Sequence, residues 1–338
     1  PTTADTNNFN EHTYLAANGT RLPNDGTRKI DGVPVYPFAD DWSTNQTYGA
    51  VWHALPWLSF TGGYFESSQF SDNIGTDLTG GAVVPLTGEG ADFSARFKLF
   101  AGKVEATVTR FATKQENLNA SISAAVRDEL NPLLAKPFAN LVDYRDGADL
   151  VFTDDIETEL LTGAGRAYGA ELLLEKKTGK VTGWIGYTLS RTERLIDGPT
   201  RITRINNGQW YPANYDKLHD LSVVFTYSPT KRWDIGGTWI YQSGRPITYP
   251  DARGEFEGIF YPVYTNRNGA RTPATHRLDL SITRSVGKRA SWNFGVYNAY
   301  GRRNPYSIFF RADFENPTNV NAYRLSIFGS AVPFFTYN

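Results

Sequence analysis

The amino-acid sequence predicts an all-β protein, folded as an antiparallel, up-and-down transmembrane β-barrel with about twelve strands present. Three observations predict this fold. Apolar and polar residues alternate with a period of two over segments of about ten residues, which is the length of a membrane-spanning strand. Aromatic residues make up 14% of the chain and recur at the ends of these segments. Short turns alternate with long connections along the chain.

The clearest strand pair lies between His219 and Arg245, with a tight turn at 229–231. Its apolar positions are Leu221, Val223, Phe225, Tyr227, Trp233, Ile235, Trp239 and Tyr241. Because alternate residues of a strand face opposite sides of a sheet, these positions share one face. We therefore expect Tyr227 and Tyr241 in lipid-facing aromatic belts, and Asp234 and Gln242 in the lumen.

The remaining chain divides into a lead-in and further hairpins. Residues 1–43 are polar and turn-rich, which predicts a loop or lead-in segment, whereas residues 44–338 supply barrel strands. The six predicted strand pairs are 48–54 with 57–67, 93–99 with 104–109, 168–174 with 181–189, 219–228 with 233–242, 278–282 with 292–296, and 323–327 with 332–337. The second strand of the fifth pair is expected to continue to Phe310.

The connections alternate in length. Turns of two to four residues are predicted at 54–56, 100–103, 177–180, 229–231 and 287–289, and connections of twenty or more at 68–90, 116–163, 194–217 and 243–273. All the long connections therefore lie at one end of the sheet, as in outer-membrane barrels. One short loop helix is expected where Ile122, Val126 and Leu130 recur at helical spacing.

Composition and motifs exclude several classes of protein. The net charge of −1 gives no electrostatic basis for binding nucleic acid, and the chain has no cysteine for disulfides or thiolate metal sites. No apolar run is long enough for a transmembrane helix. The four histidines are isolated, so no metal site is predicted. No nucleophile motif is present, so we expect neither an enzyme nor a cofactor.

Several segments resemble the C-terminal barrel of TonB-dependent outer-membrane receptors, most of all the Bacteroidetes-type branch. The segments that carry the resemblance are 163–179, 183–191, 219–222, 241–246, 276–281 and 295–306. Over residues 44–162 the resemblance is looser and rests on 64–68, 90–92 and 145–149. It is therefore dense only over residues 163–338.

The resemblance implies a fold and a function. Family barrels have about 22 strands around a plug, so these strands are expected to form part of a 22-strand barrel. The plug domain and the TonB-contacting segment have no counterpart here, so the sequence is expected to be the C-terminal part of such a barrel, with a cut-down barrel as the alternative. The implied function is uptake of a scarce nutrient (a siderophore, oligosaccharide or peptide) in the outer membrane of a Gram-negative bacterium. The implied partners are outer-membrane lipid, the TonB complex through the plug, and a surface lipoprotein.

Candidate ligand contacts lie in the long loops, because loops on a rigid scaffold carry recognition. They are Trp210, Tyr211, Asn214, Tyr215, Arg245, Tyr261, Tyr264, Asn266, Asn268 and Arg271. Aromatic faces with polar neighbours suit a sugar, peptide or siderophore. The same aromatics would also suit loop packing or the interfacial belt. Two other functions stay open at this point: a passive porin-like or structural barrel, and a soluble glycan-binding β-sandwich or propeller.

Overall fold

The computed structural model describes most of the predicted barrel region. The described residues are 44–69, 84–121, 159–198, 204–250, 252–256, 259–264, 266–287, 289–313, 316, 320–327 and 329–337, with short strands at Lys29–Ile30, Val33–Pro34, Thr76–Asp77, Asp143–Arg145 and Asp149–Val151. The predicted loop helix and nearly all of the lead-in lie outside these residues. No helix among them has the length and apolar character needed to cross a membrane.

One large antiparallel sheet organises the described chain. Its strands are β1 (Gln46–Leu55), β2 (Leu58–Gln69), β3 (Leu86–Leu99), β4 (Val104–Ser121), β5 (Glu159–Lys176), β6 (Val181–Leu195), β7 (His219–Thr230), β8 (Trp233–Gln242), β9 (Thr275–Val286), β10 (Ala290–Tyr297) and β11 (Val332–Tyr337). Each strand pairs with the next in sequence. Tyr211–Pro212 and Thr76–Asp77 add short pairings to β6 and β5. The predicted up-and-down sheet of about twelve strands is confirmed, and within the described residues it is open between β1 and β11.

The strands are tilted relative to the edge of the sheet. A continuous row of directly paired residues crosses nine strands: Trp52, Phe60, Ala95, Val108, Leu172, Tyr187, Leu221, Tyr241 and His276. Trp52 lies near the turn end of β1, whereas His276 lies near the loop end of β9. The row therefore climbs from one end of the sheet to the other, which is the stagger that a tilted barrel wall requires.

The same row shows that one face of the sheet is apolar. Residues two positions along each strand continue this face, for example Phe93, Ile185 and Phe294, which are 55%, 38% and 52% exposed. Apolar residues that are exposed on one face across a whole sheet need an apolar environment around that face, because contact between apolar surface and water is unfavourable. This surface is called the apolar face below.

The opposite face is polar and internally hydrogen-bonded. Ser94 and Thr109 lie 2.9 Å apart at their hydroxyl oxygens, and the Gln242 amide donates to Asp220 at 3.0 Å. Asp234 accepts a hydrogen bond from the Ser228 hydroxyl on this face. The predicted alternation of the hairpin formed by β7 and β8 is therefore confirmed, with Asp234 and Gln242 on the polar face.

Aromatic residues border the apolar face at both ends. Near the loops, the Tyr187 hydroxyl lies 2.8 Å from Nδ1 of His219, and the Tyr300 hydroxyl lies 2.8 Å from Nδ1 of His276. Near the short turns lie Tyr227, Trp233, Trp292 and Tyr337. Tyr227 and Trp292 are about 40% exposed (40% and 39%). Two aromatic rows on either side of an apolar band are the arrangement found at membrane interfaces.

Strands β3, β4 and β5 are longer than the sequence pattern indicated, with 14, 18 and 18 residues. A membrane-spanning strand needs only about 9–11 residues, so these strands extend past the apolar face at the loop end. Lys114 and Glu89 form a salt bridge of 3.5 Å in this extension. Both faces of the strands are polar in this extension, so the sequence shows no alternation of apolar and polar residues that would predict it.

The last part of the chain pairs differently from the prediction. Strand β10 ends at Tyr297 and does not continue to Phe310, because Asn298 has φ of 52° and its backbone N–H donates to Asp279 at 2.8 Å. The strands Ser307–Ala312 and Val320–Leu325 pair with each other as a separate hairpin. Strand β11 then pairs with β10. The predicted pairing of 323–327 with 332–337 is therefore wrong.

Candidate functional site

The fully buried residues of the described chain cluster where long loops leave the sheet. Among them are six residues other than glycine and proline: Glu193, Ile196, Tyr211, Ala213, Asp216 and Asn298. Five of these six lie between β6 and β7 or at the end of β6. The connection after β6 is therefore packed against the wall, which gives its side chains fixed positions.

Asp216 links this connection to the sheet. Its side chain is fully buried, and Oδ1 accepts a hydrogen bond of 2.6 Å from the backbone N–H of Thr192. Oδ2 forms an ion pair with Arg271, whose guanidinium also donates to the Gly244 carbonyl at 3.0 Å. The Asp216 carboxylate thus joins its own loop to strand β6 and to Arg271, and Arg271 extends the connection to Gly244.

Gly244 lies at the same junction and has no room for a side chain. A Cβ atom there would lie 1.5 Å from the backbone oxygen of Thr272. We expect Gly244→Ala to lower the free energy of unfolding by about 1–3 kcal/mol, because backbone must move to admit the methyl group. Gly62→Ala is the matched control, since its Cβ would meet nothing within 4 Å. Equal urea midpoints for both variants in detergent would contradict this packing.

A pocket of about 230 Å³ opens near the loop ends of β4, β5 and β6. It is lined by Thr113, Gln115, Leu118, Gly165, Arg166, Ala167, Thr192, Glu193, Arg194 and Tyr215. Arg194 lies with its guanidinium 5.6 Å from the centre of the Tyr215 ring. Its Nε atom is buried and has no hydrogen-bond partner among the described residues. The pocket therefore contains a cation with an unsatisfied donor.

A second charged cluster lies beside the pocket, on the side of β5 that carries Tyr168. Glu193 accepts from Arg166 at 2.7 Å and from Arg191 at 3.1 Å. The Arg166 guanidinium stacks over the Trp210 ring at 4.1 Å. Because Tyr168 belongs to the apolar face, this cluster forms the upper rim of that face. Trp210 belongs to this rim and is not among the residues that line the pocket.

Several of the predicted site residues hold the loops in place. Tyr211 is 3% exposed, and burial raises the pKa of its hydroxyl while Arg267 and Arg194 oppose that rise. The Asn268 amide donates to the Pro212 carbonyl at 2.8 Å. Arg271 binds Asp216 as described, and Arg245 donates from its side chain to the Tyr306 carbonyl at 3.1 Å. These four residues already have structural partners.

Four of the other predicted residues, Asn214, Tyr215, Tyr264 and Asn266, are more accessible. Tyr215 is 55% exposed and lines the pocket, and Asn214 beside it is also exposed. Tyr264 is 48% exposed, and Asn266 is exposed nearby in sequence. Tyr261 pairs with Gly254 in the hairpin formed by Ala252–Phe256 and Ile259–Val263. Of the ten predicted residues, Tyr215 alone lines this pocket, and ligand contact by the others stays a prediction.

The strand residues of the pocket were missed by sequence reasoning. Thr113, Gln115, Thr192 and Arg194 lie on β4 and β6, whereas the prediction considered only loops. One signal was present: residues 190–194 read Ser-Arg-Thr-Glu-Arg, with polar side chains on both faces. A strand that is polar on both faces has left the membrane and is available for binding. In the described part of the chain, no group of three or more His, Cys, Asp or Glu side chains could hold a metal ion.

The structure is similar to solved outer-membrane receptors. The ferripyoverdine receptor of Pseudomonas aeruginosa, bound to ferripyoverdine, matches with a TM-score of 0.54 and 11% identity over 86% of this chain. The ferric-catecholate import receptor Fiu of E. coli K12 matches with a TM-score of 0.53 and 14% identity over 87% of this chain. The ferric yersiniabactin uptake receptor of Yersinia pestis matches with a TM-score of 0.53 and 12% identity over 86% of this chain. The sheet has the barrel fold of TonB-dependent receptors.

These similarities cover only part of each receptor. The chain spans 32%, 34% and 36% of the three receptors. No protein-family model matches the sequence, and no curated protein matches it. The finer resemblance to the Bacteroidetes-type branch is not supported by these structures.

Proposed function

We propose that this chain is the wall of an outer-membrane transporter of the TonB-dependent receptor type, which imports a scarce nutrient into a Gram-negative bacterium. The protein acts as a transport receptor and catalyses no reaction. Its loop end captures the ligand outside the cell, and the TonB complex drives release through a plug. The proposed partners are outer-membrane lipid, the TonB complex and a surface lipoprotein.

The observation that carries this proposal is the tilted sheet with one apolar and one polar face. The apolar face is bordered by two aromatic rows and suits lipid, while the polar face suits an aqueous lumen. Eleven strands amount to about half of a 22-strand transporter barrel. The similarity to barrels of receptors supports the same arrangement.

Chelated iron is the nutrient class that we propose. The similar structures are named as receptors for ferripyoverdine, ferric catecholate and ferric yersiniabactin. The Arg194 guanidinium lines the pocket and has no ion-pair partner among the described residues, so it suits an anionic chelate. Oligosaccharides and peptides are the competing substrates, and they would need no excess positive charge.

Uptake by cells that express the complete native protein tests the proposal. We expect accumulation of a radiolabelled ferric chelate that stops when the TonB complex is deleted. The purified protein should give no steady current in a planar bilayer, because a plug fills the barrel. A steady ohmic current with uptake independent of TonB would instead establish the passive porin-like function.

A further inference from the structure

The pocket near the loop ends of β4, β5 and β6 has an electrostatic imbalance. Arg166 and Arg191 share the single carboxylate of Glu193. The other nearby acid, Asp216, is taken up by Arg271 and the Thr192 backbone. The side chains of Arg166, Arg191 and Glu193 lie on the apolar-face side of the sheet, whereas Arg194, which pairs with Gly165, lies on the opposite side. Among the described lining residues, Arg194 therefore supplies the positive charge on the pocket side. Such a site attracts an anion.

Arg194 is the cation within this group that lacks a carboxylate partner. Its guanidinium lies 5.6 Å from the centre of the Tyr215 ring, and its Nε donor is buried without an acceptor among the described residues. A buried donor without an acceptor is unfavourable, and an anion that accepts from it would remove that cost. A planar carboxylate bound side-on to a guanidinium would provide two acceptor oxygens. A rotation of the Arg194 side chain would present Nε to such an anion.

The volume and lining of the pocket suit one substituted ring. Its volume of about 230 Å³ exceeds the roughly 150 Å³ of a cavity that holds benzene, so one substituted ring fits. Gly165 and Ala167 add little side-chain bulk on the β5 side. The Tyr215 ring is half exposed beside the guanidinium and can contact an aromatic face.

We propose that this pocket is a subsite for an aryl carboxylate group on the transported ligand. The inference rests on the proposed transport function and names one part of the substrate. Arg194 binds the carboxylate, Tyr215 contacts the ring, and Thr113, Gln115 and Thr192 provide the polar lining. The recognition requires no metal, so it can be measured with a metal-free probe.

Fluorine NMR of two matched probes tests the subsite with the complete native protein in detergent. The probes are 4-fluorobenzoate and 4-fluorobenzamide, which share a ring and differ in charge. We expect Arg194→Gln to weaken binding of the benzoate about tenfold, as expected for loss of one charge-assisted hydrogen bond, and binding of the benzamide less than twofold. Arg232→Gln, at an exposed turn on the opposite end of the sheet, should change neither.

Two further variants keep the test decisive. Arg194→Lys retains the charge, so this variant should bind the benzoate more tightly than the benzamide, whether or not Arg194→Gln folds. Ala167→Leu should weaken both probes equally by filling the pocket. The subsite is refuted if wild type does not bind the benzoate, or if it binds equally to wild type, Arg194→Gln and Arg194→Lys.

The outcomes for the subsite and for transport are separable. Suppose that the protein supports TonB-dependent uptake but that Arg194→Gln does not change its binding of 4-fluorobenzoate. This result would refute the subsite alone. Binding that depends on Arg194, in a protein without TonB-dependent uptake, would support the subsite and refute the transport function.

Discussion

Leu280→Arg should lower the free energy of unfolding in lipid vesicles by about 2–4 kcal/mol, because it places a charge at the middle of the apolar face. Leu280 lies at the centre of β9, pairs with Gly237 and Val296, and is 36% exposed. In a bilayer this position contacts hydrocarbon, which solvates a guanidinium poorly. Urea unfolding from vesicles, followed by heat-dependent gel mobility, measures the loss.

Ser281→Arg is the matched control for this prediction. Ser281 is the next residue of β9 and lies on the polar face, paired with Gly236 and Gly295. There the same guanidinium would lie in the aqueous lumen, and we expect a change below about 1 kcal/mol. If the two variants lose equal stability, the assignment of the two faces is wrong.

Asp216→Ala should lower the free energy of unfolding by about 1–3 kcal/mol, because it removes a buried carboxylate that accepts from a backbone N–H and pairs with the partly exposed Arg271. The change leaves the Arg271 guanidinium and the Thr192 backbone N–H without their acceptor. We expect faster hydrogen exchange at Thr192 and Ala213, while amides in the middle of β7 keep their protection. Hydrogen exchange with mass spectrometry resolves these peptides.

Asp197→Ala gives the comparison for an exposed ion pair. Asp197 lies 2.8 Å from Arg204, but both side chains are about half exposed (53% and 43%). Surface pairs of this kind contribute between zero and about 1 kcal/mol. A loss for Asp216→Ala as small as the loss for Asp197→Ala would show that the buried carboxylate does not hold the loops.

The sequence allowed the membrane-spanning part of the fold to be predicted, because lipid on one side and water on the other impose alternation. The hairpin from His219 to Arg245 is the clearest case, with Asp234 on the polar face where alternation placed it. Beyond the membrane that constraint ends. The extension of β4 at Lys114 and the left-handed Asn298 therefore gave no periodic signal.

The candidate site was less predictable for a related reason. Loop aromatics such as Tyr211 were predicted to contact a ligand because of their residue type, but residue type does not reveal that Tyr211 is buried. Arg194 was overlooked because it lies in a strand, and its importance depends on partners far away in sequence. Tertiary contacts decide which arginine has a carboxylate partner, as the ion pair between Asp216 and Arg271 shows.

Single-cysteine scanning along β9 tests the central claim most directly, because the natural chain has no cysteine. Cysteines would replace Leu278, Leu280 and Ile282 on the apolar face, and Asp279, Ser281 and Thr283 on the polar face. In vesicles, the first set should react only with a lipid-soluble maleimide, and the second with a charged, water-soluble one. Equal reaction of both sets with the water-soluble reagent would contradict a membrane-embedded wall.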